Sequence, residues 1–142
     1  HQKAGSQNVI EFHGDVVHFH CTQCNKPFDR AYVDAQIRTK HIPLCDACGA
    51  LIRPGIVFYG DMIPMDALSD SRLLAQTADF FIAIGSSLEV NPAASLASYA
   101  RQTGAELCIV NGGPTALDYL ADIQIETDLN SFSQTVMGLL DA

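Results

Sequence analysis

Cys21 and Cys24 stand two residues apart, Cys45 and Cys48 repeat that step, and twenty residues separate the pairs. A C-x-x-C step lets one tight turn aim two thiolates at one ion. Two such steps complete a closed four-cysteine site for Zn2+. All four positions of that site are filled by protein, so the metal is structural and the reaction chemistry must lie elsewhere. Two disulfides are the competing reading, but disulfides belong to oxidising compartments. The opening residues His1 to Ser6 are small and polar, with no apolar signal core, so a cytoplasmic chain is expected. A thioredoxin-type motif would use one C-x-x-C at a helix start rather than two matched pairs. Cys108, within Leu107-Cys108-Ile109-Val110, reads as a small buried hydrophobe.

Among the five histidines, His13 is the candidate for acid–base work, because an unperturbed imidazole titrates near neutrality. The alternative is a histidine that merely ends a strand. His18 and His20 lie beside the first cysteine pair and read as structural. His41 leaves open a variant of the metal site with three cysteines and one histidine. Two further stretches suit a nucleotide: Gly85-Ser86-Ser87 and Asn111-Gly112-Gly113, each directly after an apolar run. Glycine allows a ligand close to the main chain, and serine offers a hydroxyl and an amide to phosphate or ribose. Neither a G-x-G-x-x-G fingerprint nor a P-loop is present.

Those residues need elements to hold them. Val9 to Phe12 predicts a short strand ending at His13-Gly14, and Val16 to His20 alternates into the first cysteine pair. Residues 21–52 are expected to form a zinc-ribbon module with a charged, loop-like middle. Ile52 to Tyr59 is apolar again and turns at Gly60-Asp61. From there helices and strands alternate. Asp66 to Ala75 has helical spacing, and Phe80 to Ile84 reads as a strand buried on both faces. Ala93 to Thr103 follows as a helix, Leu107 to Val110 and Ala121 to Thr127 as strands, and Asn130 to Leu140 as a last amphipathic helix. This order implies an α/β fold with a parallel, Rossmann-like, doubly wound sheet, built from 1–20 and 53–142 around the inserted module. In such sheets ligands gather at the carboxyl ends of the strands.

The chain of 142 residues carries a net charge of −8, which disfavours binding to phosphate backbones, so direct nucleic-acid binding is not expected. The basic residues around the cysteines (Lys26, Arg30, Arg38, Lys40, Arg53) alternate with Asp29, Asp34 and Asp46 and read as a solvated face. No apolar run approaches membrane-spanning length.

In order along the chain, these pieces resemble the sirtuin family of NAD-dependent protein deacylases. His1 to Ser6 is similar to the end of its Q-N-x-D-x-L-H-x-x-A-G-S segment, and VIEFHG (Val9 to Gly14) to the segment carrying its catalytic histidine. After the cysteine pairs, LIRPGIVFYGDMIP (Leu51 to Pro64) resembles L-R-P-x-V-V-x-F-G-E-x-L-P. GSSLEVNP (Gly85 to Pro92) resembles G-T-S-L-x-V-x-P, and VNGGPT (Val110 to Thr115) resembles I-N-x-x-x-T. Tyr59-Gly60-Asp61 stands where the family commonly has F-G-E, and Ser86 where it has threonine. The resemblance covers roughly the C-terminal half of the pattern. The G-A-G-x-S turn, the flexible cofactor loop and the Q-N-x-D residues have no counterpart in these residues, so the sheet is expected to be incomplete on its N-terminal side.

The resemblance implies a set of roles. NAD would lie with Gly85, Ser86 and Ser87 near phosphate and ribose, Asn111, Gly112 and Gly113 at the adenosine part, and Leu129 against adenine. An acyl-lysine protein or peptide would add as a strand between Gly60-Asp61 and Glu89-Val90-Asn91, with Val57 and Tyr59 lining the acyl-lysine tunnel. His13 would be the general base on a ribose hydroxyl, and Zn2+ would bind Cys21, Cys24, Cys45 and Cys48. The competing functions are a non-catalytic zinc-ribbon interaction module and ADP-ribosyl transfer from the same cofactor site.

Overall fold

The structure is a computed structural model describing residues 1–141, in two units: His1–Ala67 and the chain from Leu68 onward. In the first unit, strand β1 (Phe19–Cys21) pairs antiparallel with β2 (Pro27–Phe28) on one side and β3 (Ile52–Pro54) on the other. Phe19 faces Phe28 and Pro54, and Cys21 faces Ile52. Phe19, Cys21, Val33, Cys45 and Ile52 form the core, with Phe28, Tyr32 and Ala50 packed against it.

Helix α1 (Arg30–Lys40) crosses the middle of the cysteine module, where the sequence suggested a charged loop. Local rules account for it. Asp29 caps the first turn by accepting the Tyr32 amide at 2.7 Å. Arg30 pairs with Asp34 one turn on, and Arg38 and Lys40 sit at the C-terminal, negative end of the helix dipole. Only Val33 of this helix is buried, so no apolar stripe announced it. The expected strand at Val9 to Phe12 is also absent: the amides of Phe12 and Gly14 bond back to the carbonyls of Ile10 and Glu11, which turns the chain instead. The Ile52–Tyr59 run stays extended only to Pro54.

In the second unit β4 (Phe80–Ile84), β5 (Glu106–Asn111) and β6 (Ile123–Glu126) form a parallel sheet in that order. Parallel neighbours need a crossover. Helix α3 (Ala93–Gln102) provides the first, and a loop with one 3-10 turn at Asp118–Leu120 the second. Helix α2 (Met65–Thr77) precedes the sheet and α4 (Leu129–Leu140) follows it. Ala94 and Ala97 let α3 lie close on Ala83, Leu107 and Ile109, and Ala100 packs with Ala75 and Ala105. Central strand β5 is buried from Leu107 to Val110. β4 is not buried on both faces, because it is an edge strand: Phe80, Ile82 and Ile84 are 46–48% exposed, and only Ala83 is buried. Among the described residues no helix is long and apolar enough to cross a membrane.

Candidate functional site

The two C-x-x-C steps fold as matching turns. Asn25 donates its amide to the Cys21 carbonyl and Gly49 donates to that of Cys45. The amides of Cys21 and Cys45 in turn reach the carbonyls of Lys26 and Ala50. Each turn closes on a left-handed residue, Asn25 at φ 57° and Gly49 at φ 75°, and asparagine and glycine are the types that tolerate that conformation. The four sulfurs lie within 4.8 Å of one another, with Cys21–Cys48 at 3.4 Å and Cys24–Cys45 at 3.7 Å. Around tetrahedral zinc with Zn–S near 2.3 Å, sulfurs are about 3.8 Å apart. The donor set therefore fits Zn2+. The Cys24 amide, then that of Gln23, donates to Cys21 Sγ and holds its thiol down at about 6. The Ala50 amide favours the Cys48 thiolate, yet the Cys21 sulfur and burial push it up to about 12. Thiolates this crowded cannot all ionise without a cation among them. His41 takes no part, serving instead as the C-cap of α1.

Upstream in the same unit, His13 lies on the turn that leads toward β1. Its ring packs edge-on against Phe12, with centroids 5.2 Å apart. The side chain is exposed, and neither ring nitrogen is hydrogen-bonded among the described residues. Its main chain is fixed: the Val57 amide donates to the His13 carbonyl at 2.9 Å. Gly14 follows at φ +66°, where a Cβ would stand 2.0 Å from the Gly55 carbonyl oxygen, so only glycine lets the two segments approach. Asp15 accepts the amides of Val17 and His18 through one oxygen and the His18 ring through the other. Val57 is half-buried, Tyr59 and Gly60 are exposed, and Asp61 is paired with Arg53.

In the second unit the parallel sheet brings the ends of β4, β5 and β6 to one edge. The Gly85 amide donates to the Val110 carbonyl at 2.8 Å and that of Thr127 to the Asn111 carbonyl at 3.1 Å, so Gly85, Asn111 and Thr127 line up. A Cβ on Gly85 (φ +64°) would lie 2.8 Å from Leu129 Cδ1, which puts that leucine directly over the glycine. Ser86 and Ser87 are exposed. The chain then turns through Leu88 at φ 54°, whose side chain is buried in the core and whose amide bonds the Ser86 hydroxyl. Glu89 accepts from the Ser87 hydroxyl, Val90 from the Ala94 amide and Asn91 from the Ser95 hydroxyl. Asn111 bonds the Gly113 carbonyl at 2.8 Å, and both line a cavity of about 130 Å³ together with Pro114, Asp118, Gln124 and Glu126.

A family model described as the Sir2 family matches residues 1–92, a stretch that holds His13, all four cysteines and the Val57–Asp61 loop. The chain belongs to the Sir2 family. An NAD-dependent protein deacetylase of Thermotoga maritima is 42% identical over 137 residues, covering 96% of this chain and 56% of the relative. An NAD-dependent protein deacylase of Archaeoglobus fulgidus is 38% identical over 125 residues, 88% of this chain and 50% of the relative. A solved Sir2 complex with a p53 peptide and NAD+ superposes with a TM-score of 0.95 at 41% identity, over 97% of this chain and 57% of that one. The chain thus spans about half the length of the Sir2 relatives it matches.

Several residues that shape these sites carried little or no chemical signal in the sequence. Asn25 and Gly49 each follow a second cysteine directly, a repetition that could have marked them. Gly14 and Leu88 act through backbone conformation, and Arg53 looked like one more solvated cation.

Proposed function

We propose that the chain is the C-terminal portion of an NAD-dependent protein-lysine deacylase that releases nicotinamide and an O-acyl-ADP-ribose. The observation that carries this reading is the convergence of Gly85, Asn111 and Leu129 at the carboxyl edge of a parallel sheet, in a chain of the Sir2 family. Gly85, Ser86 and Ser87 would receive phosphate and ribose, Asn111, Gly112 and Gly113 the adenosine part, and Leu129 the adenine. NAD, when bound, supplies an electrophilic ribose carbon as its nicotinamide departs. The His13 imidazole would take a proton from a ribose hydroxyl, a role its unpartnered ring nitrogens support. Gly60 and Asp61, and Glu89, Val90 and Asn91, would offer main chain to an acyl-lysine peptide, with Val57 and Tyr59 beside the acyl-lysine.

Residues 21–52 would act as a structural zinc module carried by a Rossmann-like domain formed from 1–20 and 53–142. A reduced cysteine cluster suits a cytoplasmic protein. The acidic net charge argues against direct nucleic-acid binding.

The test is nicotinamide release from NAD by the full-length gene product, with and without an acetyl-lysine peptide. Peptide-dependent release is expected, and His13→Ala should lower kcat at least about 100-fold while NAD still binds. Near-normal turnover in that variant would remove His13 as the base. Transfer of labelled ADP-ribose to protein without deacylation would favour ADP-ribosyl transfer, and no NAD binding would leave an interaction module.

A further inference from the structure

We propose that Arg53 is a positioning residue for the peptide. It closes a clamp with Asp61 that presents the main chain of Tyr59 and Gly60, and this commits the Asp61 carboxylate internally instead of to substrate charge. The inference rests on the deacylase reading above.

Arg53 stands on β3, opposite His20 of β1, and its side chain reaches across the following loop. Its two terminal nitrogens meet both oxygens of Asp61, and one also donates to the Ile56 carbonyl at 3.2 Å. The guanidinium lies over the Phe58 ring, 5.0 Å from its centroid. Asp61 additionally accepts the Phe58 amide at 3.0 Å and returns its own amide to the Phe58 carbonyl at 3.0 Å. A planar fork facing a carboxylate fixes direction as well as distance. The arrangement tolerates a cost, because Arg53 Nε is buried with no partner. The remaining contacts of the guanidinium offset that cost and hold it in place.

The loop is thereby pinned at Ile56, Phe58 and Asp61, and the Val57 amide ties it to the His13 carbonyl. Between the pins, the main chain of Tyr59 and Gly60 makes no hydrogen bond among the described residues, and the Tyr59 side chain is 94% exposed. Tyr59 and Gly60 are the central residues of the turn that the Phe58–Asp61 bond closes, so their free main-chain groups are held outward, where an extended peptide could bond them. Holding them before the peptide arrives removes an ordering cost from binding. The Asp61 carboxylate already takes three donors and sits below its ordinary pKa because of Arg53. Little acceptor capacity is left to read a cationic side chain on the peptide.

Steady-state kinetics of the full-length gene product test this with two acyl-lysine peptides, one flanked by lysines and one by glutamates. Arg53→Gln and Asp61→Asn should each raise the peptide KM about tenfold, the scale of a lost charge-assisted bond. The loss should fall on KM rather than kcat and leave the KM for NAD alone. It should be equal for the two peptides and no greater in the double variant. Arg53→Lys should recover part of it, since an ammonium keeps the charge but loses the fork. An Asp61→Asn effect confined to the lysine-flanked peptide would overturn the proposal, as would an unchanged KM in Arg53→Gln. Amide hydrogen exchange in the same variants reads the clamp without turnover. Faster exchange at Val57 and Phe58 supports it, and unchanged exchange overturns it. Wild-type protein that deacylates nothing yet shows faster exchange in the variants would sink the deacylase reading and the peptide-docking role together, with the clamp itself intact.

Discussion

Gly14→Ala should be the most damaging single methyl that can be added to the first unit. At φ +66° an alanine incurs the left-handed penalty of about 1–2 kcal/mol. Its Cβ would also stand 2.0 Å from the Gly55 oxygen and 3.0 Å from the Gly55 carbon, and backbone cannot swing aside as a side chain can. Overpacking of that kind costs about 1–3 kcal/mol. Moving Gly55 away also strains the Val57–His13 bond two residues on, a further loss of about 1 kcal/mol. Together these give about 3–6 kcal/mol, or a melting temperature lower by more than about 10 °C for a unit of this size. Two controls separate the causes. Gly60→Ala has a positive φ (+93°) with nothing within 4 Å, so it should lose only the strain component. Gly55→Ala meets nothing closer than the His18 carbonyl oxygen at 3.4 Å and should change stability by less than about 1 kcal/mol. Differential scanning calorimetry on the three variants, with urea titration as a second probe, ranks them. If Gly14→Ala melted alongside Gly55→Ala, the close approach of the His13 segment to the Gly55–Val57 chain would be wrong.

Cys21→Ser should release zinc and unfold the cysteine module, since metal binding there is folding energy. Unchanged metal content and an unchanged melt would disprove the four-cysteine site. The His18 ring bonds Asp15 and holds its carboxyl down at about 2 from 3.8. That stability is present above 3.8 and lost as pH falls through about 2. The same bond raises His18 above 6.5, so its share is complete below 6.5 and lost as pH rises through the elevated value. The urea midpoints of wild type and Asp15→Asn should therefore differ most between about pH 4 and 6.5. A difference that instead grew towards pH 9 would contradict the pairing. Gly85→Ala should weaken NAD binding about tenfold in calorimetry, because its Cβ displaces Leu129 from over the strand end. An affinity equal to wild type would refute the strand-end site.

The parallel sheet and the metal site were legible because their signals are local. An apolar run such as Leu107 to Val110 declares a central strand by itself, and paired cysteines declare their partner by spacing. What stayed hidden was decided by tertiary partners. Phe80 to Ile84 has the same composition as a fully buried strand, and nothing within it says that it sits at the edge with Ile82 and Ile84 uncovered. α1 carries one buried residue, so its evidence was a cap and two charge placements, each worth only tenths of a kcal/mol to about one. VIEFHG looked like a strand because its residues favour one, but the turn is set by Gly14 meeting Gly55, forty-one positions along the chain. The same distance hid Arg53, since its partner is chosen by how the loop folds back and not by any pattern around residue 53.

The cysteine turns and the His13 segment are joined by one run of main-chain hydrogen bonds. Cys21 is the last residue of β1 and pairs with Ile52, and the next rung pairs His20 with Arg53. The Gly55 amide then bonds the His18 carbonyl, which carries the same antiparallel alignment one step beyond the sheet. Beyond Gly55 the chain reaches Val57, whose amide holds the His13 carbonyl. A strand pair of three residues is too short to persist alone. Its register depends on the sulfurs at one end and on the Arg53–Asp61 clamp and the Gly14 contact at the other. Folding energy supplied by a metal held at the four sulfurs would therefore favour the β1–β3 register that leads, through Gly55 and Val57, to the His13 carbonyl.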